Sequence, residues 1–149
     1  MWDGGVNHLE VQPLSPLTSP LEMNESLTNV LLKLNRNVEY KTLFAQAFHD
    51  SIITSDKMLK ALVQFTGLMV SANSRYDKFI ARKDTFSTAE KRGLTLFRSN
   101  CSSCHTEPLF TNNSYKNNGL KPDTALNDKG WALITGLSTD FNMFKVPSL

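Results

Sequence analysis

The sequence predicts a mainly α-helical fold. Three observations lead there. Apolar side chains recur at three- and four-residue intervals in several segments, a Ser-x-x-Glu capping signal opens one of them, and no stretch alternates apolar and polar residues for long enough to build a sheet. Size and composition agree. A chain of 149 residues can bury a core of its own. Its 40% hydrophobic and 20% charged content suits a folded rather than a disordered protein.

The elements can be taken in order. Residues 1–24 hold three of the six prolines (Pro13, Pro16, Pro20) and the pair Gly4-Gly5, so an ordered, irregular loop is expected rather than a helix. Ser26 is an N-cap for a helix running to about Arg36, with Val30, Leu31 and Leu34 on one face. A second helix fits Val38 to Phe48, where Tyr40, Phe44 and Phe48 fall four apart. The strongest periodicity spans Ser55 to Asn73, with Met58, Leu62, Phe65 and Met69 as an expected buried stripe. Lys83 to Phe86 reads as a connector. Ser87-Thr88-Ala89-Glu90 is a capping box that opens a helix through Leu94, Leu96 and Phe97, running straight into Cys101. Beyond residue 105 the asparagines and glycines indicate turns, then loops with short extended pieces to Leu149.

Charge and hydropathy exclude several functions. The net charge is +2 with acids and bases interspersed, which gives no footprint for nucleic acid or a membrane surface. No apolar run approaches the roughly 20 residues of a membrane span. Met1-Trp2-Asp3-Gly4-Gly5 lacks the basic and apolar regions of a signal peptide. Lys145-Val146-Pro147-Ser148-Leu149 carries no terminal cap, and both ends are expected to be cuts through a longer protein.

The only two cysteines lie in Cys101-Ser102-Ser103-Cys104-His105, the attachment sequence of c-type haem. Chemistry explains the spacing. Two thiols add across the two vinyl groups of one porphyrin, and the next residue, His105, lies under the iron as an axial ligand. A thioredoxin-like redox pair would need a βαβ setting, and zinc would need four ligands, to which His8 or His49 could contribute. Met143, Met23, Tyr115 and His49 are the candidate sixth ligands. A methionine there favours electron transfer, and an open position favours peroxide or oxygen chemistry.

These blocks together resemble the bacterial di-haem cytochrome c peroxidases and their relative, the di-haem enzyme that matures tryptophan tryptophylquinone in methylamine dehydrogenase. The resemblance runs through Trp2-Asp3-Gly4, Leu9-Glu10-x-Gln12, Pro16-Leu17 and Pro20-Leu21-Glu22-Met23. It continues in Asn73 to Phe79, Glu90-Lys91-Arg92-Gly93-Leu94-x-Leu96-Phe97 and Cys101 to His105, and ends in Gly136, Asp140 and Phe144 to Leu149.

The resemblance implies a cytochrome c-like haem domain with long irregular loops, preceded by part of a first such domain. Residues 1–24 would be an interdomain and distal-pocket loop of the first haem domain. Residues 25–86 would be a helical segment linking the two domains, and 87–149 the N-terminal part of the second. His105 would serve the second, electron-transfer haem, with Trp2 lying between the haems. Gln12, Pro16 and Glu22 would line the distal pocket of the first, Glu22 handling the proton for O–O cleavage. Read without the resemblance, Glu22 is a solvated loop acid or a helix N-terminal acid next to Ser26, Trp2 a core or terminal aromatic, and Gln12 bland.

By the same resemblance the first haem's attachment motif, the second haem's sixth ligand and the calcium-binding residues fall outside this chain, and Gly5 sits where an arginine is common. The implied activity is reduction of hydrogen peroxide, with electrons from a small cytochrome c or a cupredoxin, in the periplasm, and with a homodimer as an expected assembly. The alternatives are a mono-haem electron carrier without peroxidase activity and a di-haem enzyme that oxidises a protein substrate.

Overall fold

The computed structural model describes all 149 residues. Its helices are α1 (Leu14–Thr18), α2 (Leu27–Arg36), α3 (Val38–Phe48), α4 (Ser55–Gly67), α5 (Arg75–Ile80), α6 (Thr88–Asn100) and α7 (Ala132–Thr135). A 3-10 turn covers Ser138–Asp140, and two short strands, β1 (Tyr115–Lys116) and β2 (Phe144–Lys145), complete the set. The chain divides into two compact units, Val6–Val70 and Met1–Gly5 with Ser71–Leu149.

The regular elements of unit Val6–Val70 are all helices. Its first element is a difference from expectation, since a five-residue helix sits inside the proline-rich stretch. The prolines permit it by position. Pro13 precedes the helix and Pro16 lies in its first turn, where the missing N–H has no intrahelical partner to lose. Ser26 caps α2 by accepting from the Asn29 amide at 3.1 Å. Asn37 ends α2 and caps α3, accepting from the amides of Glu39 (2.9 Å) and Tyr40 (3.2 Å). His49, at φ 55°, closes α3 in the left-handed conformation.

Helix α4 stops at Gly67, six residues before the periodicity suggests, and its apolar stripe divides. Met58 is 5% exposed, whereas Phe65, Leu68, Met69 and Val70 are 61–82% exposed. Within the unit, Met58, Ala61 and Leu62 face Leu17, Val30, Leu34, Tyr40 and Phe44 across an apolar cavity of about 320 Å³. No element of the unit covers the last turn, so glycine's low helix propensity decides where α4 ends.

The most buried residue here, Ile53 (2% exposed), is tied to α2 by one side chain. Asn35 Oδ1 accepts from the Ile53 amide at 3.0 Å, and its Nδ2 donates to the Ile53 carbonyl at 2.8 Å and the Leu31 carbonyl at 2.9 Å. Truncation orphans both backbone groups of a buried residue. Asn35→Ala is expected to cost about 1–3 kcal/mol for each group left unpaired, read as a lower urea midpoint with an unchanged m-value.

The second unit is built from α5, α6 and the irregular chain beyond. Both helices begin with capping boxes, Ser74–Asp77 and Ser87–Glu90. The Ser87 box is the one read from the sequence, while α5 was not anticipated, although Ser74-x-x-Asp77 carries the same signal. Arg75 joins the two helices, its Nη1 lying 2.7 Å from Glu90 Oε1. Phe79 stacks on Phe86 at 4.1 Å between centroids.

Strands β1 and β2 pair antiparallel, Tyr115 with Lys145 and Lys116 with Phe144. Two residues per strand is too short to leave an alternating pattern in the sequence. The Trp131 amide donates to the Met143 carbonyl at 2.7 Å, and Gly130 packs on the same carbonyl. A Cβ at Gly130 would lie 2.4 Å from Met143 O, and its φ is +60°. Gly130→Ala is therefore expected to destabilise by about 1–3 kcal/mol, through backbone strain and displacement of the Met143 peptide, measured by chemical unfolding.

Candidate functional site

Helix α6 delivers the cysteines. The Cys101 amide donates to the Phe97 carbonyl at 2.8 Å, and the next turn continues with the His105 amide donating to the Cys101 carbonyl at 2.9 Å. The motif thus leaves α6 as one further hydrogen-bonded turn. Both thiols are free and half-buried.

The imidazole is oriented by backbone alone. His105 Nδ1 lies 3.0 Å from the Phe110 carbonyl and 3.1 Å from the Pro147 carbonyl. Carbonyl oxygens only accept, so Nδ1 is the protonated, donating nitrogen, and Nε2 is the one turned away from these contacts. A histidine held through one nitrogen with the other free is the arrangement that metal-ligating histidines use.

Two chain segments meet to supply those carbonyls. The 109–115 loop and the C-terminal segment are stapled by Thr111 Oγ1 to Val146 O (2.6 Å), Ser148 Oγ to Leu109 O (2.6 Å) and the Val146 amide to Ser114 O (2.8 Å). Val146 is buried.

His105 and Cys104 open onto a cavity of about 730 Å³, walled by Trp2, Phe144, Val146, Pro147 and Leu149, with Lys116, Asn117, Asn118 and Lys145 also in its lining. Cavities of roughly 300–1,000 Å³ with mostly apolar walls are the usual size of small-molecule and cofactor sites. Trp2 is exposed on this wall, and its carbonyl accepts from the Lys145 amide at 2.8 Å. Trp2, Cys104 and His105, singled out from the sequence, are therefore brought to one place. Neither Met143 nor Tyr115 lines this cavity. Tyr115 instead stacks on Trp131 at 4.4 Å with its hydroxyl against Gly4. No cluster of three or more His, Cys, Asp or Glu side chains gathers in the structure.

Beside the motif stands a polar cluster that sequence reading missed. Arg98 of α6 grips Glu107 with Nε to Oε2 at 2.7 Å and Nη2 to Oε1 at 3.0 Å, and the Tyr76 hydroxyl of α5 donates to Oε1 at 2.6 Å. Hydrogen bonds from Arg98, then Tyr76, hold the Glu107 carboxyl below its usual range. Burial, then the bond to Glu107, pushes the Tyr76 hydroxyl up to about 12. Nothing in the local spacing of Tyr76, Arg98 and Glu107 announces the cluster. The carbonyls of Phe110 and Pro147 carry no side-chain signature at all.

Gln12, Pro16 and Glu22 lie in unit Val6–Val70. Gln12 is half-buried, its amide donating to the His8 carbonyl at 3.2 Å and its carbonyl accepting from Ser15 at 3.3 Å. The Pro16 carbonyl accepts from the Met23 amide at 3.1 Å, which folds residues 16–23 into a compact turn. Glu22 lies in that turn with its side chain exposed and its amide donating to Ser19 O at 3.1 Å. The turn brings Pro16 and Glu22 together and leaves the Glu22 carboxylate uncommitted.

A protein with a helix-delivered Cys-x-x-Cys-His turn in a helix-rich chain of this kind has known counterparts. The family model described as di-haem cytochrome c peroxidase matches residues 1–85. The methylamine utilization protein MauG of Methylophilus methylotrophus is 34% identical over 154 aligned residues, covering 100% of this chain and 45% of that protein. The cytochrome c551 peroxidase of Nitrosomonas europaea is 31% identical, covering 99% of this chain and 46% of that protein.

Among solved structures, a MauG-like protein associated with microbial copper homeostasis superposes with a TM-score of 0.80 at 25% identity, over 99% of this chain and 51% of that one. The diheme peroxidase BthA of Burkholderia thailandensis gives 0.78 at 25% identity, over 99% and 44%. The chain belongs to the di-haem cytochrome c peroxidase family, and it spans a little under half the length of the curated relatives it matches.

Proposed function

We propose that this chain is the central part of a di-haem cytochrome c peroxidase-type oxidoreductase, carrying one haem c on Cys101 and Cys104 with His105 as axial ligand. The single observation that carries the reading is the His105 ring. Its Nδ1–H is committed to two carbonyls, at 3.0 and 3.1 Å, its Nε2 is free, and two unpaired thiols precede it on the same turn, with Cys104 on the same cavity wall. The donor set fits a thioether-linked porphyrin.

When bound, haem c supplies one-electron exchange at its iron. The chain's own residues do the rest. Cys101 and Cys104 Sγ form the two thioethers. His105 offers Nε2, and the carbonyls on Nδ1–H strengthen it as a donor. Trp2, on the cavity wall, lies between this haem and the first haem of the complete protein. Gln12 and Pro16 shape the distal side of that first haem. Glu22 accepts a proton from one peroxide oxygen and returns it to the other, so that the O–O bond breaks with water as the leaving group. Two electrons and two protons convert one hydrogen peroxide to two waters.

On the same reading, residues 1–24 form the distal-pocket loop, 25–86 the helical link and 87–149 the start of the second haem domain. A small cytochrome c or cupredoxin is the electron donor, calcium sits between the domains of the complete protein, and the compartment is the periplasm, where haem c is matured. No helix is long and apolar enough to cross a membrane.

The test is a pyridine haemochrome spectrum and intact mass of the complete protein, followed by peroxide consumption with a reduced donor. Two covalent haems and peroxide-dependent donor oxidation are expected. One haem without turnover would favour a simple electron carrier. The 34% identity to a methylamine utilization protein favours a second reading, an enzyme of the same build that oxidises a protein substrate. Two haems with no donor-dependent peroxide consumption would select it.

A further inference from the structure

The loop that follows the imidazole is braced from two helices. Glu107, two residues beyond His105, receives both Arg98 contacts from α6, at 2.7 and 3.0 Å, and the Tyr76 hydroxyl from α5 at 2.6 Å. Three residues on, Phe110 is gripped by the same two helices. Tyr76 meets its ring edge-on at 4.7 Å between centroids and Phe97 meets it at 5.3 Å. Phe110 adopts φ 54°, a left-handed conformation that is costly for a bulky aromatic and persists only where its surroundings over-determine it. The carbonyl fixed by that conformation is the one 3.0 Å from His105 Nδ1.

The geometry points to Glu107 as a positioning residue for His105. Through Arg98 and Tyr76 it holds the 107–110 loop so that the Phe110 carbonyl keeps its hydrogen bond to Nδ1. This rests on the haem c reading of Cys101, Cys104 and His105, and adds to it a determinant of how strongly Nε2 donates. A hydrogen bond from Nδ1–H to a carbonyl raises the basicity of the other ring nitrogen, and a stronger axial donor favours ferric over ferrous iron. The Pro147 carbonyl, at 3.1 Å, remains when the loop loosens, so removing the brace weakens the orientation without abolishing it. Tyr76 belongs to both braces, which makes it the shared pivot of the ionic and aromatic contacts.

The test uses the complete protein matured in a host that attaches haem c, as parent, Glu107→Ala, Glu107→Gln and Tyr76→Phe. A pyridine haemochrome spectrum of the parent comes first, and a parent without thioether-bound haem overturns the site and this proposal together. With haem attached, spectroelectrochemical titration reads the potential of the His105 haem directly, independent of turnover. Glu107→Ala is expected to move the ferric–ferrous equilibrium about tenfold toward ferrous, or 59 mV upward for a one-electron couple. Tyr76→Phe, which removes one hydroxyl and no bulk, shifts it the same way by less. Glu107→Gln, which still accepts from one partner, falls between parent and Glu107→Ala. Parent-like potentials in Glu107→Ala and Tyr76→Phe, with lowered melting temperatures, assign the cluster to folding alone and overturn the proposal. If Glu107→Ala does not accumulate, Tyr76→Phe decides by the same two outcomes.

Discussion

Replacing Cys101 and Cys104 together by serine is expected to remove covalently attached haem from this chain completely, lowering the haem count of the complete protein by one. Thioether formation needs a sulfur nucleophile at each position, and a serine hydroxyl, close in size, does not add to the vinyl groups. The change is local. The two cysteines are half-buried and unpaired, and helix α6 is set by its Ser87–Glu90 box, with Glu90 Oε2 accepting from the Ser87 amide at 2.8 Å. Helical circular dichroism should therefore persist while the haemochrome signal and the haem mass disappear. Each single variant should keep one thioether and shift the pyridine haemochrome band. Retention of covalent porphyrin by the double variant would falsify the assignment of this motif.

The second large effect lies in the other unit. Glu22→Gln in the complete protein is expected to slow peroxide turnover by about 10²–10⁴, the range for loss of a positioned acid–base group. Haem count and fold should not change. The Glu22 side chain is exposed and the hydrogen bond of this residue is made by its backbone amide, at 3.1 Å to Ser19 O, so the amide replacement disturbs nothing that holds the 16–23 turn. A fall in kcat with haem content unaltered is the signature of a proton-handling role. Unchanged turnover would leave Glu22 a solvated loop acid and return peroxide cleavage to residues elsewhere in the protein.

Where the sequence was legible, the signal was local. Helices α2 and α3 follow from Ser26, Asn37 and three- and four-residue apolar spacing, and α6 from a capping box, because caps and helical faces are written within one or two turns. The misreadings have equally local causes. Prolines can sit at the start of a helix, which is how α1 forms within the 1–24 stretch. The periodicity after Ser55 continues past Gly67, but periodicity reports a face and not the presence of a partner for it. Phe65 and Met69 keep the spacing while staying more than 60% exposed.

What this sequence determined by itself was the helical class and the Cys101-x-x-Cys104-His105 motif, since both depend on residues a few positions apart. Only the tertiary structure decided how that motif is presented. The proton on His105 Nδ1 is placed by the carbonyls of Phe110 and Pro147, five and forty-two residues away. Tyr76 and Arg98 reach Glu107 across 31 and 9 residues, and Trp2 meets His105 at one cavity from the opposite end of the sequence. Backbone carbonyls look the same at every residue, and contacts made across a fold leave no spacing behind, so these could be read only once the chain was folded.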